Sequence, residues 1–283
     1  MSTAFAEAER TPWLQGQRIR RYNPTLALLA LLVLALAALP VVVEDPERLW
    51  PIAMLLAATA LGGLVLLGRR TIRGVRLNNG AVALMTRGED LGASNVFRLV
   101  VHGLFGRDVV GMSLHNLGVL ALRSLDLPSA IALHRAAIAA SDGFRFRWQP
   151  NLAADLARAQ LAFVLAASGE DLEGARAALT AAKQTTSPLA IAFTVRAQAM
   201  LAARRGKFDE VVDILDGERA LLRNVLPLND AVLCEALGSY ALVRLGNTYR
   251  GAARASQPVL ADDLARAYVR RMLPEAETVL VSV

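Results

Sequence analysis

Two uninterrupted apolar runs stand near the start of the chain, and everything after them is broken into short amphipathic stretches. Residues 25–43 (TLALLALLVLALAALPVVV) and 51–68 (PIAMLLAATALGGLVLLG) carry no charge. The first, 19 residues long, would rise about 28 Å as a helix, close to the thickness of the hydrocarbon layer. Its eight leucines and four valines favour insertion. One such run would also suit a buried core helix, but two in succession with only seven residues between them do not. A cleaved signal peptide would need a shorter apolar run and a shorter leader. The pattern predicts a transmembrane helix over 25–43, an external loop over 44–50 and a second transmembrane helix over 51–68. Pro40 lies near one end of its span and Pro51 is placed to open the second helix. No ionisable residue falls inside either run, so the pair reads as an anchor and not as an ion pathway. Ala58 and Gly62, small residues four apart, offer a face on which the second helix can pack on the first or on another copy of the chain.

Beyond residue 76 the period changes to helices of about a dozen residues, punctuated by Gly, Pro and acidic turns, with almost no strand-like alternation. The expected fold class is therefore all-α. Residues 78–93 (NNGAVALMTRGEDLGA) and 115–130 (HNLGVLALRSLDLPSA) are self-similar, with Gly80 and Gly118 in register. The second unit continues through Leu117, Gly118, Ala121, Ala130 and Ala137. Here the chain resembles the tetratricopeptide repeat (TPR), a family of helical hairpins of about 34 residues. The resemblance implies that Gly118 lets the two helices of a hairpin meet, that Ala130 lies at the inner contact of the second helix, and that Ala137 admits the next repeat. Weaker units follow at Leu161-Ala162 with Ala175 and Ala182, at Ala199 with Val211 and Glu218 where small residues are expected, and at Leu237-Gly238. Their turns are Ser168-Gly169-Glu170-Asp171, Gly206-Lys207-Phe208-Asp209-Glu210 and Gly246-Asn247. The expected organisation is a basic cytoplasmic segment (1–24), the hairpin, a basic juxtamembrane segment (69–76), a TPR-like α-solenoid of four to five helical hairpins (77–259) and a C-terminal capping helix and tail (260–283). An Ala-rich bundle of irregular hairpins remains the alternative.

Charge sharpens the placement. The chain of 283 residues carries a net charge of +6, which by itself would suit a nucleic-acid partner. Its distribution does not: residues 1–24 hold +2, 44–50 hold −2, 69–76 hold +4, and only +2 is left for 77–283, so the excess flanks the spans and nucleic acid is not an expected partner. Four arginines before the first span and four after the second place both termini in the cytoplasm of a multi-pass plasma (inner) membrane protein. Tyr22 and Trp50 bracket the first span as interfacial aromatics do. Hydrophobic residues make up 54% of the chain and aromatics only 5%, with mean hydropathy +0.38; such values fit spans plus closely packed helices.

Candidate chemistry is sparse. No P-loop, dinucleotide fingerprint, His-Glu-x-x-His or Gly-x-Ser-x-Gly motif occurs. His115 and His134 fall on paired helices but lack further ligands for a metal. Cys234 sits in an apolar run as a packed hydrophobe. The acidic turns suit helix capping. The expected chain is thus not an enzyme and takes no cofactor. Family analogy puts a partner groove on the first helices of the hairpins, with Leu77, Ala81, Leu84, His115, Val119, Leu122 and Arg123 as candidates for holding an apolar peptide or amphipathic helix. Phe144, Arg145, Phe146, Arg147 and Trp148 form either a surface contact for an anionic group or a plug between repeats. In arrangement the chain is similar to bacterial membrane TPR proteins that help assemble or regulate membrane complexes, including those associated with haem biosynthesis. The expected function is a tethered protein-interaction scaffold. A periplasmic TPR assembly factor is the alternative, and an enzyme or small-ligand sensor within the stack a further one.

Overall fold

The computed structural model describes residues 31–35, 46–103, 105–141, 152–182, 186–255 and 263–276. Among them the chain is all-helical, with no strand. The elements are α1 (Pro46–Thr86), α2 (Asp90–His102), α3 (Arg107–Arg123), α4 (Leu127–Ser141), α5 (Leu152–Ser168), α6 (Leu172–Ala182), α7 (Pro188–Arg204), α8 (Phe208–Gly217), α9 (Arg219–Val225), α10 (Leu228–Arg244), α11 (Thr248–Ala255), α12 (Asp263–Met272) and a 3₁₀ turn at Pro274–Ala276.

The longest element corrects two expected boundaries. Helix α1 runs unbroken for 41 residues, about 60 Å. It takes in part of the expected 44–50 loop, the second apolar run, the basic segment 69–76 and the first helix of the expected repeat domain. The change of composition at Gly68–Arg69 resembles a boundary, yet nothing there breaks a helix. Thr59 and Thr71 turn their hydroxyls back onto Leu55 O and Leu67 O at 2.8 and 3.0 Å, so neither interrupts the ladder. Pro46 opens the helix, and Pro51, expected to open it, lies inside at the cost of one backbone hydrogen bond. Trp50–Thr86 is the one helix among the described residues long and apolar enough to cross a membrane, and none of its apolar window is buried. Of the first expected span, residues 31–35 are helical; the rest lies outside the described residues.

From α1 onward the helices form successive hairpins. The pairs α1–α2, α3–α4, α5–α6, α7–α8 and α10–α11 each pack together, and α2, α4, α6 and α8 also pack on the first helix of the following pair. The first helices touch in series, α1 on α3, α3 on α5, α5 on α7, α7 on α10, and α10 on α12. Short α9 is an addition between two hairpins that the sequence pattern does not mark.

One turn recurs within every hairpin. Gly88, Gly169, Gly206 and Gly246 have φ between 72° and 80°, and Leu125 has φ 63° at the equivalent place. The next amide closes the helix end over five residues in four of these turns: Glu89 to Leu84 O, Asp126 to Ala121 O, Lys207 to Ala202 O and Asn247 to Leu242 O, at 2.9–3.0 Å. Left-handed backbone is open to glycine without strain, whereas Leu125 bears about 1 kcal/mol for it. Side-chain caps then start several of the second helices. Asp126 Oδ1 accepts from Ser129 N (3.1 Å), Asp171 Oδ1 from Gly174 N (2.7 Å) and Asn247 Oδ1 from Arg250 N (3.3 Å).

Small residues set the closeness of packing. Leu117, Ala121, Ala130 and Ala137 are buried. A methyl group on Gly118 would meet the His134 ring at 2.6 Å, and one on Gly238 would meet the Arg254 guanidinium at 2.5 Å. Both partners lie sixteen positions on, one from each of two hairpins. Gly80 does not share this role: it is exposed, and a methyl there would meet nothing. The neighbouring Ala81 is the buried residue.

Candidate functional site

Polar side chains inside the stack link helices of successive hairpins. Ser113 Oγ and Asn116 Nδ2 on α3 donate to Asn78 Oδ1 on α1, at 3.0 and 3.2 Å. On α7, Arg196 Nη2 donates to Gln160 Oε1 of α5 at 2.5 Å, and its Nη1 pairs with Asp230 of α10. Tyr268 OH of α12 donates to the same carboxylate at 3.0 Å. These links join residues 34–38 positions apart, and those through Arg196 and Asp230 form a ladder across α5, α7, α10 and α12. Arg196 is fully buried, its guanidinium 3.7 Å above the Phe163 ring. Burial there is tolerated because a carboxylate, an amide and an aromatic face replace water.

A second ionic group surrounds Glu235 on α10, only 3% exposed. It accepts from Arg219 (3.2 Å) and Arg223 (2.9 Å) of α9 and from Arg254 (2.7 Å) of α11. Arg254 also donates to Asp216 at 2.8 Å. Burial pushes the Glu235 carboxyl up, but the bonds from Arg219, Arg254 and Arg223 outweigh it, so the net shift is downward. Helix α9 is thus fastened by the same acid that anchors α11.

The third group is a pair of imidazoles. His115 of α3 and His134 of α4 are buried with ring centres 5.3 Å apart. Neither ring nitrogen of His134, nor Nδ1 of His115, has a hydrogen-bond partner in the protein. Burial lowers His115 to about 4 and His134 well below its ordinary value, so both are neutral at pH 7. Because unfolding releases them to ordinary values near 6.5, the unfolded chain binds more protons below that pH. Stability is present above pH 6.5 and lost as pH falls toward the folded value. For His115 alone the loss at pH 5 is on the order of 2 kcal/mol. Denaturant midpoints measured between pH 6.5 and 5 should fall accordingly, and the slope should flatten in the double variant His115→Gln/His134→Phe.

A cleft of about 460 Å³ opens between α6, α7 and α8. Leu179, Leu201 and Ile214 lie among its lining with Arg176, Arg205, Lys207 and Glu210. Arg205 pairs with Glu173 at 2.9 Å and Lys207 with Glu210 at 3.0 Å, so its charges are largely matched. Burial pushes the Cys234 thiol up to about 12, which keeps it protonated and inert as a nucleophile. No three of His, Cys, Asp or Glu converge among the described residues.

The groove candidates divide. Ala81 on α1 and His115 and Leu122 on α3 are buried, α3 being packed by α1, α2, α4 and α5. Leu77, Leu84 and Val119 are half-buried, and Arg123 is exposed, donating to Met85 O at 3.0 Å and pairing with Asp90 at 3.4 Å. Ala58 and Gly62 are exposed on α1. Phe144, Arg145, Phe146, Arg147 and Trp148 lie outside the described residues. The sequence reading missed Arg196 and Glu235. Their signal was a single charge inside an otherwise apolar run, such as Leu189–Leu201 or Ala231–Leu242. Comparison of the chain with family models, curated proteins and solved structures gives no match.

Proposed function

We propose that the chain is a non-catalytic, membrane-tethered adaptor. In this reading the run 25–43 and the apolar part of α1 form a two-span hairpin, and the helical hairpins behind them are a TPR-like α-solenoid. The solenoid recruits a partner protein, or helps assemble one, at the cytoplasmic face of the membrane. The observation that carries the proposal is the continuity of α1. The same helix that exposes an uncharged face over 51–68 buries Asn78 and Ala81 in the stack, so the anchor and the interaction domain share a rigid element. The recurring left-handed turn and the hydrogen bonds across one repeat length support the solenoid reading. Holding a domain at the bilayer raises the local concentration of whatever it binds. The surface left for a partner includes Leu77, Leu84, Val119 and Arg123, together with the cleft between α6 and α8. Self-association through Ala58 and Gly62 would add avidity.

Orientation follows from the arginines at 69–76. C-terminal fusions to a reporter active only in the cytoplasm, and to one active only outside it, test the proposal. A cytoplasmic signal is expected. An external signal would sink the orientation and promote the periplasmic assembly-factor reading.

A further inference from the structure

We infer that Arg69, Arg70, Arg73 and Arg76 form a binding collar for anionic phospholipid headgroups, a recognition site in its own right and not only an orientation signal. The inference rests on the reading of α1 as a membrane span. All four side chains are exposed, and no ion pair holds any of them among the described residues. The chain supplies no Asp or Glu between residues 49 and 88, so their charge has no compensation on their own helix.

Helical geometry separates this face from the packed one. Arg69, Arg73 and Arg76 follow the i, i+4, i+7 spacing of one face, and Gly74, Asn78 and Ala81 repeat that spacing five residues later, about 140° around the helix. The second set is buried against the stack: a methyl on Gly74 would meet Phe105 at 2.8 Å and Val109 at 3.2 Å, while Asn78 bonds Ser113 and Asn116. The three arginines therefore point away from the helical domain, whereas Arg70 stands one turn before Gly74 on the packed stripe and is exposed there. The arginines begin directly after Gly68, where the uncharged stretch ends, and extend over about 10 Å, enough to cross the polar layer of one leaflet. A guanidinium offers a planar fork of donors matched to phosphate oxygens. An anionic bilayer surface is thus the occupant that charge, depth and donor geometry favour together.

The test uses the full-length chain purified in a neutral detergent, with retained ligands counted by native mass spectrometry. Phosphatidylglycerol is expected to be retained at least about ten-fold better than phosphatidylcholine. Each arginine near an anionic surface is worth about five-fold in affinity; Arg73→Gln/Arg76→Gln should therefore weaken phosphatidylglycerol by about 30-fold, and Arg73→Lys/Arg76→Lys should recover most of that. Neither substitution touches the packed face, so the thermal unfolding of the helices should be unchanged. Equal retention of the two lipids, or an unaltered double-Gln variant, would overturn the collar. Tighter binding of poly-glutamate than of phosphatidylglycerol would assign the face to an acidic protein instead, and displacement of the lipid by equimolar inorganic phosphate would assign it to a free anion. Alkaline carbonate extraction reads the span separately: release of the chain would overturn α1 as a span, an outcome distinct from equal lipid retention.

Discussion

Replacing Glu235 by alanine is expected to lower the unfolding free energy of the helical domain by about 3–5 kcal/mol, seen as a shift of the denaturant midpoint followed by circular dichroism. The size of the effect comes from what is left behind. Arg254 is only 7% exposed and lies under Gly238, where a side chain would collide with it; without Glu235 its remaining partner is Asp216, which is itself half in solvent. Arg219 and Arg223 are more exposed and regain water, so their share is small. They do, however, hold α9, and their release should loosen that helix against α10. Acid gives a second reading of the same cluster. The folded carboxyl sits below its ordinary value, so its contribution is present above about pH 4.5 and is lost as pH falls through the lower folded value. The Glu235→Ala variant should lack that limb of the acid-unfolding curve. A wild-type-like midpoint in the variant would mean that the three arginines are solvated in the folded chain.

What could be read from the sequence, and what could not, divides along physical lines. Apolar runs and Gly-centred turns are local signals. The uncharged run at 51–68 and the turns at Gly169, Gly206 and Gly246 lie where the pattern put them, since left-handed backbone demands glycine almost wherever it occurs. The turn at Leu125 was marked by Asp126-Leu127-Pro128 and not by a glycine, because there the surrounding packing imposes a conformation that leucine does not prefer. The unbroken length of α1 was hidden for a different reason: charge changes abruptly at Arg69, but charge sets the solvent a helix sits in and not whether the helix continues. Gly80 was placed in register with Gly118 by sequence alone, and burial distinguishes them, since only Gly118 has a side chain seated over it. Arg196 and Glu235 escaped because a charged residue's burial depends on partners one repeat away, which no local window contains.

The rigid junction also bears on how the domain works. A flexible linker would let the stack sample many orientations, whereas, on the proposed reading of α1 as a span, a helix shared with the stack would fix its first face relative to the bilayer normal. Gly74 lies six residues past the apolar run and already contacts Phe105 and Val109, about 9 Å along the helix. On that proposed reading the stack would begin close to the membrane surface, and a partner bound near Leu77 or Leu84 would be held within reach of the lipid or of other integral proteins.

The ladder through Arg196 gives the other large effect, and its sign depends on how many members are changed. Asp230→Leu alone should cost about 3–5 kcal/mol, since it leaves a fully buried guanidinium without its counter-charge. It also strips Tyr268 of the acceptor for its hydroxyl, a group whose ionisation burial already pushes far out of reach. Changing Arg196→Met, Asp230→Leu and Tyr268→Phe together removes both charges and the tyrosine donor, and leaves only the neutral Gln160 amide without its partner. Methionine can lie over Phe163 where the guanidinium now does, and sulfur–aromatic contact partly replaces the cation–π stack. The triple variant should therefore recover to within about 1–2 kcal/mol of wild type, although it contains the damaging single change. Denaturant unfolding of the single and triple variants in the same detergent decides the matter. Recovery in the triple means that the ladder stabilises by mutual compensation and could be exchanged for apolar packing. Equal damage in both means that Arg196 sets the spacing of α5, α7 and α10 through geometry that no apolar side chain reproduces.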